Sequence, residues 1–202
     1  MRELAPGVLH WTAVHPKLGI EVSSYYVADA ATLVDPMAPE EGVEALDGER
    51  RPQRIVLTNR HHLRHSERFA AAFGIPILCH QAGLHEFSGG GPDVKPFSWG
   101  DELAPGITAL KVDAICDEET ALRIDVGDGF LSVADGVVNY GELGFPPDQY
   151  IGDDPPAIHR ALRAAYRELL DEPFDSLLPA HGDPIVGGGK EALRRFVEQD
   201  SP

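Results

Sequence analysis

A group of histidines in the first half of the sequence has the residue types and the position to bind a metal ion or another ligand. His61, His62 and His65 follow the apolar run at 54–58, which is typical of a buried strand. Ligands in α/β sheets usually bind at the carboxyl ends of strands, and imidazole is a common metal ligand. The same residues would also suit a solvated loop that leads into a helix. Both interpretations of the stretch from 59 to 65 stay open.

Two arginines lie within this stretch and change what it could bind. Arg60 and Arg64 stay protonated, so beside a divalent cation they would have to point away from it. Alternatively, they could replace the cation and hold an anionic group of a ligand, such as a phosphate or carboxylate. The stretch therefore predicts either a metal site or an anion site.

The elements that would position these residues alternate between groups of strands and helices. Short strands and a short helix come first, then a strand–loop–helix–strand unit that carries the histidines, and then a second series of strands and helices. The predicted strands are 8–12, 23–28, 32–35, 54–58, 75–79, 107–112, 120–125, 130–133 and 176–179, and the predicted helices are 40–46, 66–73, 155–170 and 190–197. Ser66 is predicted to cap the second helix, and Gly74 to end it.

This order predicts two similar halves, at about 1–90 and 91–202, within one domain of 202 residues. The glycine-rich segment 88–93 is the candidate boundary between them. Each half would be a sheet with helices on its outer face, and the two sheets would pack face to face. We therefore expect a four-layer αββα sandwich.

Composition excludes several functional classes. A formal charge of −16 disfavours nucleic acid and anionic lipid as partners, and no apolar run is long enough to span a membrane. The N-terminal residues do not resemble a secretory signal, and Cys79 and Cys116 do not form a disulfide framework. We expect a cytoplasmic protein with reduced, buried thiols and a small-molecule substrate or ligand.

Six short motifs, in order, resemble landmarks of metallo-β-lactamase-fold hydrolases of the glyoxalase II type. The resemblance spans nearly the whole chain and implies the αββα sandwich together with metal-assisted hydrolysis. The motifs are Pro6-Gly-Val, Ser24-Tyr-Tyr-Val, Thr32-Leu-Val-Asp-Pro36, Leu57-Thr58 before the histidines, Ala134-Asp135 and Pro179-Ala-His-Gly182.

The first ligand loop of that family, His-x-His-x-Asp-His directly after Leu-Thr, is degenerate in this chain. Neither of two alignments restores it, so the resemblance implies at most one tightly bound metal ion. Without a gap the ligand positions fall on Asn59, His61, Leu63 and Arg64, and with a shift of one residue they fall on Arg60, His62, Arg64 and His65.

The later landmarks are better kept. The resemblance implies that Asp135 is a metal-bridging aspartate, that His181 is a ligand, and that Asp35 supports the ligand loop by hydrogen bonds. The family's Gly-His-Thr-Pro-Gly histidine falls on Ile115 or Cys116, and a buried structural role for Cys116 is favoured over a ligand role.

Two functions follow as hypotheses. In the first, one Zn²⁺, Fe or Mn ion is held by His181, Asp135 and one or more of the histidines at 61, 62 and 65. Asp135 then takes part in hydrolysis of an ester, thioester or amide. In the second, the chain is a catalytically inactive binding or regulatory module that has lost the metal, and Arg60 and Arg64 hold an anionic group. Asp135 and His181 are expected to reach one pocket from opposite halves.

Overall fold

The described part of the chain contains two large β-sheets, a two-stranded ribbon and three α-helices. The computed structural model describes residues 1–48 and 50–199. The first sheet contains β1 (Arg2–Ala5), β2 (Val8–Val14), β3 (Glu21–Val27), β4 (Thr32–Val34), β5 (Arg54–Val56), β6 (Ile77–His80) and β7 (Val94–Phe97). The second contains β8 (Glu102–Ala104), β9 (Ile107–Lys111), β10 (Thr120–Ile124), β11 (Phe130–Val133) and β14 (Ser176–Pro179). A separate ribbon pairs β12 (Val138–Asn139) with β13 (Leu143–Gly144), and the helices are α1 (Ser66–Phe73), α2 (Pro155–Leu169) and α3 (Gly189–Glu198).

Strand order brings the ends of distant strands together. The first sheet runs from β1 to β7 in sequence order, antiparallel up to β4 and parallel from β4 onwards. The second sheet has the order β14-β11-β10-β9-β8, and β14 is parallel to β11. Because parallel strands end at the same edge of a sheet, the residues after β11 and β14 are neighbours.

Apolar clusters define four layers. One cluster lies between the sheets and combines residues of both, among them Val34, Val56, Leu122 and Leu178. A second joins α1 to the outer face of the first sheet, and a third joins α2 and α3 to the outer face of the second. The predicted αββα sandwich is confirmed.

Local sequence explains where the helices begin and end. Gly74 ends α1 in the left-handed conformation, with φ 69° and its N–H bonded to the carbonyl of Ala70, as predicted. Asp154 caps α2 by accepting the N–H of Ala157 at 3.1 Å. Ser66 was expected to cap α1, but His65 holds that position and Ser66 is the first helical residue.

The predicted strands and helices are present, except that the helix predicted at 40–46 is a 3₁₀ turn, Val43–Leu46. Five short strands, β1, β7, β8, β12 and β13, were not predicted. Polar or proline-containing sequences form β1 and β7, which are edge strands, and edge strands tolerate both features. The change of sheet falls between β7 and β8, a few residues after the glycine-rich segment 88–93. None of the helices in the described ranges is long and apolar enough to cross a membrane.

Candidate metal centre

Three side chains meet at one edge of the sandwich. The Nε2 atoms of His62 and His181 each lie 3.0 Å from Oδ1 of Asp135. One potential ligand atom from each residue lies within 4.8 Å of the others. The exposed fraction of the side chain is 6% for His62, 14% for His181 and 27% for Asp135.

Parallel pairing of β11 and β14 places two of these residues. Asp135 lies two residues beyond β11, and His181 lies two residues beyond β14. The register pairs Val133 with Pro179, so both side chains start from the same level of the second sheet. They do reach one pocket, but the expectation that they come from opposite halves is wrong. His62, which follows β5, is the residue that the first sheet contributes.

His62 is oriented by a short turn and by a carboxylate behind it. It lies in the 3₁₀ turn Arg60–Leu63, which Asn59 caps by accepting the N–H of His61 at 2.9 Å. Oδ2 of Asp35 lies 2.9 Å from Nδ1 of His62, which leaves Nε2 directed at Asp135. A carboxylate on the far nitrogen of a ligating histidine fixes its tautomer and ring orientation.

Asp35 supports the loop as the family resemblance implies. Its carboxylate accepts the backbone N–H of Thr58 at 2.9 Å and also the hydroxyl of Thr58. Its own backbone has φ 46°, a left-handed conformation that is costly for a residue other than glycine. This turn directs the Asp35 carboxylate toward the strand end of Thr58 and toward His62.

Both arginines of the loop bind the protein itself. Arg60 donates to the two carboxylate oxygens of the buried Glu118 at 2.5 and 2.6 Å. Arg64 donates to the backbone carbonyls of Ser23 and Asp35 at 2.6 and 2.8 Å. These contacts argue against the hypothesis that the two guanidinium groups hold an anionic ligand.

The other two histidines of the loop do not reach the cluster. His61 is exposed to solvent. His65 faces the chain after Asp35, where its Nδ1 accepts the N–H of Ala38 at 3.0 Å. Only His62 of the shifted alignment therefore stands at the site.

Charges within the cluster shift the pKa values of His62 and Asp135. Burial opposes a charge on His62, but the carboxylates of Asp135 and Asp35 outweigh it and raise its pKa to about 9. Burial likewise opposes charge on Asp135, and the two histidines hold the pKa of Asp135 well below its usual range. The cluster thus carries a carboxylate beside a readily protonated imidazole.

The corner that carries His181 is closely packed. Asn139 donates its N–H to the carbonyl of His181 at 3.0 Å. Gly182 follows with φ 88°, and a Cβ there would collide with the carbonyl oxygen of Asn139. Ser23 of the first sheet donates its N–H to the carbonyl of Ala180 at 2.9 Å. The corner of His181 is therefore held by the first sheet and by the β12–β13 ribbon.

Glu119 supports the other side of the site and was not predicted. Its carboxylate is fully buried and accepts the N–H groups of Gly136 and Ile115, both at 2.9 Å. Burial raises its pKa to about 7. Glu119 therefore fixes the peptide that follows Asp135, and no local pattern in the sequence marks it for this role.

Comparison with known proteins identifies the fold. No family model and no curated protein matches the sequence. A metallo-beta-lactamase from Pontibacter korlensis superposes with a TM-score of 0.70 over 98% of both chains, at 16% identity. The metallo-beta-lactamase family protein TTHA1429 from Thermus thermophilus superposes with a TM-score of 0.69 over 96% of this chain and 79% of that one, at 17% identity. This chain has the metallo-β-lactamase fold.

A third structure with this fold contains metal. TTHA1623 in a di-iron-bound form superposes with a TM-score of 0.61 over 90% of this chain and 91% of that one, at 20% identity. At such identities the likeness concerns the fold alone.

The three side chains of the cluster are suitable ligands for one divalent ion. Two imidazole nitrogens and a carboxylate oxygen are ligands that Zn²⁺, iron and manganese accept, and three protein ligands leave a position open for water. Within the described residues, His62, Asp135 and His181 are the only group of three or more His, Cys, Asp or Glu side chains with this proximity.

Asn59 and Cys116 occupy the rest of the site without completing a second set of ligands. Nδ2 of Asn59 donates to Oδ2 of Asp135 at 3.2 Å and to Sγ of Cys116 at 3.4 Å. Burial raises the pKa of the Cys116 thiol far above its usual value, so the sulfur stays protonated and neutral. Asn59 stands at the family's first ligand position in the alignment without a gap, which is the one sequence signal that places it here.

Proposed function

We propose that this protein is a metal-dependent hydrolase that binds one divalent ion through His62, Asp135 and His181. The observation that carries the proposal is the convergence of their three donor atoms within 4.8 Å of one another. Zn²⁺ or iron is the metal we favour, because imidazole and carboxylate ligands suit both. The di-iron form of TTHA1623 adds support from a protein of the same fold.

The reaction class follows from what such a site supplies. When bound to these donors, a divalent ion brings the pKa of a water molecule toward neutrality and polarises a carbonyl group. Asp35 holds Nδ1 of His62 and keeps its Nε2 directed inward, and Asn59 restrains Oδ2 of Asp135. Asp135 is then the carboxylate placed to orient the attacking water. Hydrolysis of an ester, thioester or amide is the chemistry that we assign.

A melting experiment tests the metal ligands. Because a metal that binds only the native state adds about 2.7 kcal/mol at a hundredfold excess over Kd, the wild-type protein should melt higher with Zn²⁺ or Mn²⁺. His181→Ala should lose most of that increment while its melting point in chelator changes little. His85→Ala is the matched control, since His85 is exposed and lies outside the cluster.

Two outcomes would overturn the assignment. Equal metal-induced shifts in all three proteins would place the ion elsewhere, and no shift in any of them would favour a metal-free binding module. Elemental analysis of dialysed protein should find no more than one equivalent of metal. Retention of two equivalents would mean that the stretch from 59 to 65 supplies ligands that we have not assigned.

A further inference from the structure

Exposed apolar side chains gather beside the proposed metal site. Large apolar residues that stay exposed are usually scattered singly, whereas a cluster of them marks a binding surface. In the described ranges these residues are Met1, Val14, Leu18, Ile20, Tyr140, Tyr150 and Val186. Four of the seven, Leu18, Ile20, Tyr140 and Tyr150, line one cavity of about 420 Å³ that also contains Asp135 and His181.

Two separate parts of the chain build this cavity. Leu18 and Ile20 lie in the turn between β2 and β3, and Tyr140 and Tyr150 lie in the segment between β12 and α2. A volume of this size and an apolar lining with a few polar groups are typical of sites for small organic ligands. The cavity is continuous with the reacting centre because two of the three proposed metal ligands form part of its wall.

The charge of the cavity restricts the ligand. Among its twelve lining residues, Asp135 is the only acidic one and His181 the only basic one, and neither lysine nor arginine is present. A carboxylate or phosphate on the remote part of a substrate would find no cationic side chain there. The basic residues near the site, Lys17, Arg60 and Arg64, line a neighbouring cavity that shares Leu18 with this one and contains none of the three proposed ligands.

We propose that this apolar cavity binds the acyl chain of a neutral ester, aliphatic or aromatic, and presents its carbonyl to Asp135 and His181. The inference rests on the proposed function. In the reaction, the oxygen of water bonds to the acyl carbon and the bond from that carbon to the alcohol oxygen breaks. One proton of the water goes to the departing alcohol, and the other is released when the acid product ionises.

A matched set of para-nitrophenyl esters tests separately the length of the acyl chain and a charge at its far end. With the Zn²⁺-loaded protein, the hexanoate should have kcat/KM at least about tenfold above the acetate, because its longer chain removes more apolar surface from water. The monoadipate has a chain of the same length that ends in a carboxylate, and it should fall at least about tenfold below the hexanoate. Equal kcat/KM values for all three esters would overturn the proposal.

Substitutions in the cavity wall test whether the preference for hexanoate arises in this cavity. Leu18→Ser and Tyr150→Ser should lower kcat/KM for the hexanoate more than for the acetate and so abolish the preference for hexanoate. Val186→Ser is the control, since Val186 is 50% exposed and Leu18 is 59% exposed, but Val186 lies outside the cavity. If the preference for hexanoate persists in both cavity variants, the cavity does not bind the acyl chain and the proposal is overturned.

A binding measurement separates this inference from the proposed function. In chelator-treated protein, saturation-transfer NMR should detect hexanamide, and not 6-amino-6-oxohexanoate, on wild type and Val186→Ser but not on Leu18→Ser. If that pattern holds while no ester, thioester or amide is hydrolysed, the proposed function is wrong and the assignment of the cavity as an apolar binding site stands. If esters are hydrolysed without chain preference and hexanamide does not bind, the function stands and the cavity assignment is overturned.

Discussion

His62 lies between two carboxylates, and this decides what its ring can bind. Asp35 contacts Nδ1 at 2.9 Å, and Asp135 contacts Nε2 at 3.0 Å. Together they overcome burial and raise the pKa of His62 to about 9. A proton on Nε2 occupies the lone pair that a metal ion needs, so proton and metal compete for one atom.

This competition predicts an unusual pH dependence of metal binding. An ordinary histidine ligand, with a pKa near 6.5, is already deprotonated at about pH 7.5. Because the raised pKa of His62 lies above both values, zinc affinity should rise about tenfold between about pH 7.5 and about pH 8.5. Competition with a chelator of known affinity measures it. An affinity that is flat over this interval would mean that His62 is not a ligand.

The same pKa fixes the sign of the effect on stability. The folded-state pKa of His62 is raised, so its ion pairs stabilise the chelator-treated protein fully below about pH 6.5. That contribution is lost as the pH rises through about 9, and added zinc should therefore stabilise most at the alkaline end of the range.

At the scale of single residues, the sequence predicted several candidate metal ligands without selecting among them. His61, His62 and His65 were equivalent in the pattern because each follows the same strand. Their separation depends on the 3₁₀ turn at Arg60–Leu63 and on the positive φ of Arg64, 45°. Neither feature has a signature in residue type, since non-glycine residues adopt that conformation only where surrounding structure enforces it.

At the scale of elements, the corner after β14 decides where His181 points. Gly182 has φ 88° and lies against the backbone of Asn139, which binds the carbonyl of His181 on one side and the N–H of Asp183 on the other. A side chain at Gly182 would therefore displace β12 or the corner itself, and His181 with it.

Gly182→Ala tests this coupling against a matched glycine. Gly187 also has positive φ, at 76°, but a Cβ there would approach nothing closer than 3.8 Å, an oxygen of Asp175. Gly187→Ala should therefore cost only the backbone strain, about 1 kcal/mol, and keep the zinc-induced rise in melting temperature. Gly182→Ala should cost several times more or lose that rise, as thermal melting with and without zinc would show. Similar behaviour of the two variants would mean that the corner adapts freely.

The elements themselves were predicted better than their pairing. The bounds of β11 and β14 are those expected from their apolar runs. Their parallel pairing was not predicted, so the sequence did not show that Asp135 and His181 start from neighbouring strands of one sheet. Strand pairing depends on contacts between residues about forty-five positions apart, which no local pattern records. The edge strands β1 and β7 were missed because they bury too little surface to show alternation.

At the scale of the whole molecule, hydrogen bonds join the two sheets next to the site. The hydroxyl of Tyr25 in β3 donates to the carbonyl of Pro179 in β14 at 2.7 Å. Thr120 at the start of β10 donates its N–H to the carbonyl of Thr58 at 2.9 Å. Because the ligands come from both sheets, any separation of the sheets would take the site apart. Metal binding and the packing of the sandwich should therefore stabilise each other.

Two buried tyrosines provide a controlled test of this link. Tyr25 and Tyr166 are both fully buried, but only the hydroxyl of Tyr25 joins the sheets, while that of Tyr166 has no hydrogen-bond partner among the described residues. Tyr25→Phe should lower the free energy of unfolding by about 1–2 kcal/mol, because it leaves the carbonyl of Pro179 without that donor. It should also reduce the stabilisation by zinc, since Pro179 lies two residues before His181. Tyr166→Phe removes an unsatisfied polar group and should leave both quantities unchanged or slightly raise stability.

Urea unfolding followed by circular dichroism, with zinc and with chelator, measures both the free energy of unfolding and the stabilisation by zinc. Equal losses in the two variants would show that the tyrosines act through packing alone, and a zinc increment that survives in Tyr25→Phe would show that the site forms independently of this bond.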